Sequence, residues 1–535
     1  MNTRFQQYFL TTLLAFCVGS LGAQDSSKTA TPALLLVPDV FTPLRSGVWR
    51  ESLNAAALGE SAERGELGEQ GVMRFVGGYE VGRFRAPQTA VAILGGGFDA
   101  RGLKRFGGTS GTTASNAWTL AGQFRYDRSA HDSVRLSTVA NPLNGNPYIL
   151  ADTTGGNWLR DDIRLETSLS TPLLWENLRF GTQLWYGVGQ GARRNDPRPL
   201  FRYRKLGVAP AVLWQIASEH SLGGVFRVES RREDAELGFF ANDNSFVWRM
   251  RGLASYDRIP LVSSQRVTQG VKWTGGVQYA WNEAQTNEAQ TTSSQRRIVI
   301  AAEAYSRTDS VRDGVAEPQF AGMYTEQGVN ATVSAGQMGE MFGTEGLQEL
   351  RLHALSALGR GIDPIFRAAN TSDIQTSAQM QARFRIGKTH QISPLDAALH
   401  LAFEDVVRRD VAADFRSQVS NLTFGISAQG ASILNTDFVL EWRSVLHYRT
   451  PLATNIQTGA PANAQGLQTA LAVPDFIVRS AQILGAEAEC SVVWNTHPSS
   501  GSLWLRTGIG GSFTSSNHVF YNQRAAVRCF FAIVL

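Results

Sequence analysis

Cysteine is nearly absent from this chain of 535 residues: Cys17, Cys490 and Cys529 are too few and too scattered for a disulfide framework. Long apolar runs are missing as well. No stretch of about eighteen or more apolar residues occurs, which excludes helices that cross a bilayer. Lysine is scarce, with Lys28, Lys104, Lys205, Lys272 and Lys388 the whole set, so nearly all positive charge is arginine. The net charge of +4 is small for this length, and no lysine cluster or aromatic RNA-binding motif is present, so nucleic acid is not expected as a partner. After about residue 70 no Pro-rich or Ser-rich linker divides the chain, which reads as one domain from there on.

Recognisable catalytic spacing is lacking too. His131, His220, His353, His390, His400, His447, His497 and His518 are dispersed, with no HExxH-type pair, and neither a metal nor a cofactor is expected. Gly108-Thr109-Ser110-Gly111-Thr112 comes nearest to a nucleophile elbow but lacks its second glycine. The glycine clusters GVGQG and GIGGS sit in strand-like stretches with no helix behind them to cradle phosphate. No catalytic residue is assigned.

What the chain does contain is alternation. In the last twelve residues, RAAVRCFFAIVL, the series Ala525, Val527, Cys529, Phe531, Ile533 and Leu535 is apolar at period two, while Arg524, Ala526 and Arg528 hold the other face. A strand of this kind suits the closing seam of an outer-membrane β-barrel, whose outside is lipid. The final Leu535 departs from the aromatic residue on which many such barrels end. Upstream the pattern repeats. Leu178, Phe180, Leu184 and Tyr186 oppose Arg179, Gln183 and Trp185; Leu206, Val208, Pro210, Val212 and Trp214 oppose Lys205, Gly207 and Gln215, with Pro210 a blemish for a ladder. In the second half Met380 and Phe384 oppose Gln381, Arg383 and Arg385, and Leu440, Trp442 and Leu446 oppose Glu441, Arg443 and His447. Charges fall on one side in every case. A soluble sandwich would give the same alternation with its senses reversed.

The beginning of the chain favours the membrane reading. Arg4 precedes an apolar run from Phe9 to Val18 and then small residues, as in a secretory signal peptide over residues 1–23. Residues 24–70 form an N-terminal leader with Pro32, Pro38 and Pro43 and a short helical patch around Trp49 to Leu58; it is either periplasmic, the preferred reading, or inserted in the lumen. It is far too short for the globular plug of a TonB-dependent receptor. Residues 71–535 are then expected to form a single large antiparallel transmembrane β-barrel of an all-β class, with roughly 16 to 18 strands and fourteen as the lower alternative.

Such a barrel leaves an aqueous lumen unless loops fill it. The long connections are Arg128 to Trp158, Asn282 to Gln295, Thr308 to Gln319 and Thr450 to Val478. The alternation places Arg383, Arg385, Glu404, Glu441, Arg443, Glu487, Glu489 and Arg506 on the lumenal wall, and their mixed signs predict weak ion preference. Cys490 and Cys529 fall on the apolar series, two strands apart and beyond bridging distance.

One stretch stands outside the strand pattern. NPLNGNPYILADTTGGNW contains Asn146, Pro147, Tyr148, Asp152, Gly155 and Gly156; the later NDPRPLF contains Asp196, Pro197, Arg198 and Pro199. Pro147 fixes a turn, the glycine pair permits positive φ, and Asp196 can pair with Arg193, Arg194 or Arg198, so Pro147, Asp152, Asp196 and Arg198 are candidates for an ordered loop. The NPYxLAD…GGxW and DPRP segments, between residues 141 and 207, resemble an uncharacterised family of outer-membrane β-barrels from Bacteroidota-like bacteria, one defined as a domain of unknown function. The resemblance implies the barrel and a Gram-negative cell outer membrane, and no activity.

The expected function is a channel or transporter for an unidentified solute. A structural or partner-binding envelope barrel is the alternative, and a hydrolase at the barrel rim a third. Expected partners are outer-membrane lipid, the barrel-insertion machinery through the C-terminal strand, and an envelope protein in the second reading.

Overall fold

A computed structural model describes residues 54–63, 70–107, 117–238, 246–260, 263–285, 294–314, 316–341, 344–386, 395–434, 437–459, 464–495, 504–519 and 521–534. The expected signal peptide, most of the expected leader and the Gly108–Thr112 motif lie outside these residues. In chain order the first strands are β1 (Gln70–Gly82), β2 (Ala92–Phe106), β3 (Trp118–Val134), β4 (Leu150–Ala151), β5 (Gly156–Ser170), β6 (Leu178–Arg193) and β7 (Arg198–Ala217). Next come β8 (His220–Gly238), β9 (Phe246–Met250), β10 (Tyr256–Pro260), β11 (Ser263–Gln285), β12 (Ser294–Asp313), β13 (Gln319–Met341) and β14 (Thr344–Ile362). The last are β15 (Ala369–Ile386), β16 (Leu395–Asp410), β17 (Phe415–Ile433), β18 (Phe438–Thr458), β19 (Ile483–Asn495), β20 (Trp504–Ser516) and β21 (Gln523–Val534).

All of these except β4, β9 and β10 join one antiparallel sheet of 18 strands. The sheet closes on itself. β1 pairs with β2 on one edge and with β21 on the other, from Val72↔Val534 to Gly82↔Arg524, so no strand edge is left open. The strand number sits at the top of the expected range. Strands are longer than the periodicity suggested: β11 continues through Gln285, β12 through Asp313 and β18 through Thr458. Pro210 stands inside β7, where the ladder to β8 passes from Val208↔Val228 to Ala211↔Val225 in unchanged register, as expected of a residue with no N–H to donate.

The two faces of the sheet differ in chemistry. Outward side chains are apolar and exposed, among them Phe75, Leu184, Leu206, Val277, Phe384 and Val527, with Val277 62% accessible. Inward side chains include buried Asp99, Arg125, Arg307, Glu349 and Arg506. A closed sheet this apolar outside and this charged inside matches a bilayer as its surroundings and reverses the order of a soluble protein.

The lumen is occupied by the chain's own segments. The connection from β3 to β5 turns inward with β4, the β9–β10 hairpin joins β4 in a three-stranded sheet, and after β18 three helical turns run on as Gln465–Leu467, Gln468–Ala472 and Val473–Ser480. Leu136, Val139, Ile149, Ala151, Met250, Leu467 and Leu471 form one buried cluster, so three loops distant in sequence share a single lumenal core. Strand parity explains their meeting: β3, β8 and β18 are the third, seventh and fifteenth barrel strands, so the connections after them emerge at the same end.

At the other end sits the segment before β1. Ala56 and the short helix α1 (Ala57–Glu63) begin against the wall formed by Ala209, Ala211, Leu213 and Val225. Asn54 donates to the Val212 carbonyl at 3.0 Å, and the Ser170 hydroxyl donates to the Ala56 carbonyl at 3.0 Å. A Cβ at Gly181 would collide with the Ala55–Ala56 backbone, so glycine there makes the close approach possible.

Candidate functional site: the lumenal wall and its plug

The plug is fixed by ion pairs and hydrogen bonds between loop and wall. Asp152, at the turn leading to β5, receives two hydrogen bonds from Arg193 of β6 at 3.0 and 3.1 Å, and neither side chain reaches water. The same aspartate accepts from the Gly155 amide at 2.9 Å, where Gly155 adopts φ +69°, a left-handed value that suits glycine. Asn146 and Tyr148 flank Pro147 in the buried part of this loop, and the Tyr148 hydroxyl reaches Asn370 at 3.3 Å. Asp196 is elsewhere: it pairs with Arg198 at 2.9 Å on the exposed rim, while Arg193 belongs to Asp152.

The hairpin and the helical segment are held in the same way. Nη2 of Arg251 donates to both carboxylate oxygens of Asp363, at 2.9 and 3.1 Å, and Asp410 at the end of β16 accepts from the Ala254 and Ser255 amides and from the Ser255 hydroxyl. Asp309 of β12 gathers Arg307, Arg231 and Asn146. On the helical segment, Asp475 accepts from Arg408 of β16 at 2.8 Å and from Arg479 at 2.7 Å. Arg449 of β18 donates to the Val478 and Ala481 carbonyls. Desolvation pushes the Asp475 carboxyl upward, but Arg479 and Arg408 outweigh it and hold the group below the ordinary carboxylate value of 3.8.

The eight wall residues expected from alternation fall into two groups. Arg383 and Arg385 converge on Asp396, at 2.9 and 3.3 Å, and are buried in that triad. Arg506 is buried against Glu441 at 2.8 Å. Glu404 accepts from Gln375 at 3.2 Å. Arg443 and Glu489 are direct cross-strand partners, and Glu487 lies in the electrostatic reach of Arg443, Arg528 and Glu489.

Sequence reasoning offered Arg193 to Asp196 rather than to Asp152, and it missed the anchors Arg251, Asp309, Asp363, Asp410 and Asp475, and with them the inward hairpin at residues 246–260. The available signal was modest. Asp309 and Asp410 continue the inward series of β12 and β16, but their partners lie in loops more than 150 residues away.

No curated protein matches the sequence. Among solved structures the chain is similar to the ferric preacinetobactin receptor BauA of Acinetobacter baumannii, at 6% identity and TM-score 0.37, over 87% of this chain and 80% of that one. It is similar to the ferric enterobactin receptor PfeA of Pseudomonas aeruginosa at 8% identity and TM-score 0.37, over 88% and 81%. The FrpB iron transporter of Neisseria meningitidis gives 10% identity and TM-score 0.35, over 90% and 83%. Scores of this size carry no argument about function. The match of a family model is different in extent, since it takes in residues 69–531, from the last residues before β1 to the closing strand. The chain therefore belongs to the family of unknown function DUF6850.

Proposed function

We propose that the protein is an outer-membrane barrel that passes a modest-sized polar solute through a lumen narrowed by its own loops. The observation that carries this reading is the sorting of the sheet's two faces: an apolar exterior fitted to lipid, and a lumenal wall of paired arginines and acids that only an aqueous path requires. A solid structural peg has no need of so many inward charges. The signal-peptide pattern at residues 1–23 agrees with this compartment.

The plug adds a condition. Its helical part, Gln465–Ser480, lies between two adjacent wall strands, β18 and β19, so a short Gly-Ser link can replace it without touching the barrel. Single-channel recording in planar bilayers then tests the reading: the intact refolded protein shows small steps, and the variant lacking Gln465–Ser480 shows larger ones. Silence in both overturns transport. That outcome favours a structural or partner-docking barrel, to which the densely packed lumenal core shared by three loops also lends itself.

A further inference from the structure

The polar anchors of the plug fall on β6, β12, β16 and β18 and on the loops beside them. The wall from β19 through β2 is built differently. One row of directly opposed residues crosses it as Glu489, Gly510, Arg528, Gly78 and Gly95, on β19, β20, β21, β1 and β2 in turn. Arg443 of β18 extends the row beyond Glu489, and Glu487 stands two residues before Glu489 on the same face.

Glycines make room in this row for its charged side chains. A Cβ at Gly510 would lie 3.4 Å from Cβ and Cγ of Glu489, and one at Gly78 would lie 3.4 Å from Cγ of Arg528, so the two charged side chains rest across positions that carry none of their own. Neither charge is buried: Glu489 keeps 32% of its side-chain surface, and Arg443, Glu487 and Arg528 are half-buried. Glu487 feels Arg443, Arg528 and Glu489 together. Arg506, paired with Glu441 at 2.8 Å, lies 4.0 Å from Glu489, so three acids and three arginines share one patch of lumenal surface with no net charge.

Resting on the transport reading, we infer that this wall selects dipolar solutes carrying both an amine-type cation and a carboxylate. A patch of zero net charge gives a singly charged ion one attraction and one repulsion. A zwitterion of amino-acid length orients itself to take both attractions, its carboxylate toward Arg528 and Arg443 and its cation toward Glu487 and Glu489. With no side chain at Gly510 and Gly78, Glu489 and Arg528 lie low against the wall, and the solute meets their charged ends.

Osmotic swelling of phosphatidylcholine vesicles holding the refolded full chain tests this with three solutes of near-equal shape: glycine betaine, its analogue 3,3-dimethylbutyrate with carbon in place of the cationic nitrogen, and choline. Protein-free vesicles supply the background, and heat-modifiable mobility on gels confirms that each variant is folded. Betaine is expected to enter about fivefold faster than either singly charged relative, the gain of one water-screened ion pair. R528Q lowers betaine entry and raises that of choline relative to dimethylbutyrate; E487Q also lowers betaine entry and raises that of dimethylbutyrate relative to choline. Equal entry of the three solutes, or a betaine preference untouched by folded R528Q and E487Q, overturns the assignment while leaving transport standing. Exclusion of all three solutes, and of glycerol as well, removes the transport reading and this inference with it.

Discussion

Arg193 and Asp152 meet where neither retains contact with water, and the carboxylate's remaining capacity is taken by the Gly155 amide. A pair of this kind contributes little compared with an apolar replacement of both residues, because desolvation offsets the attraction. Removing one partner is another matter. Asp152→Ala strands a buried guanidinium, and a loss of about 3 to 5 kcal/mol is expected in equilibrium unfolding of the refolded protein, against a small effect for Asp196→Ala on the exposed rim. Equal losses would mean that the buried pair does not anchor the loop. Both aspartates stood out in the sequence as loop-ordering candidates. Which of them would capture Arg193 was not legible, because Arg193 is nearer in sequence to Asp196 and the choice depends on where β5 and β6 bring the loop end.

At the scale of elements, the helical segment Gln465–Ser480 shows how a loop becomes a plug. Its inward side chains Leu467 and Leu471 enter the shared lumenal core, and Asp475 joins it to the wall through Arg408. The carboxyl of Asp475 is held below 3.8 in the folded protein, so its contribution to docking is complete above that pH. It fades as the pH falls through the lower folded value. Limited proteolysis between residues 460 and 480 is therefore expected to stay slow from neutral pH down to about 4 and to accelerate below it, whereas Asp475→Asn is cleaved readily even at neutral pH. An unchanged profile in the variant would show that the apolar contacts alone hold the segment. Sequence periodicity could mark residues 450–478 as a long connection but could not reveal its inward path. Nor could it show that β18 runs on to Thr458.

For the whole molecule the question is which face of the sheet meets lipid. Phe384 is exposed on the outside of β15, while Gln381 faces the lumen opposite His400. Arginine in place of Phe384 should cost about 2 to 4 kcal/mol of barrel stability if the site is near the midplane, and arginine in place of Gln381 should be tolerated. Folding yields into lipid vesicles measure both, and the reverse ranking would put the apolar face inside. Closure itself depends on the seam: Phe75 faces Phe531 and Val76 faces Phe530 across β1 and β21, the first and last strands of the barrel.

The amino-acid sequence by itself determined the fold class, the approximate strand number and the assignment of faces, because each rests on period-two alternation, a local property that survives without knowledge of any partner. It also led to the expectation that Arg383, Arg385, Glu404, Glu441, Arg443, Glu487, Glu489 and Arg506 share the charged face. Tertiary structure alone decided which of these charges are buried in their pairs, as Arg383 and Arg385 are on Asp396, and which keep water contact while 4.0 Å from a partner, as Glu489 does beside Arg506. It alone decided that three loops fill one end of the lumen and the Asn54–Ala57 segment the other. The physical reason is range. Alternation is written every second residue, whereas a buried ion pair or a shared core is settled by whichever distant groups barrel closure brings within a few ångströms.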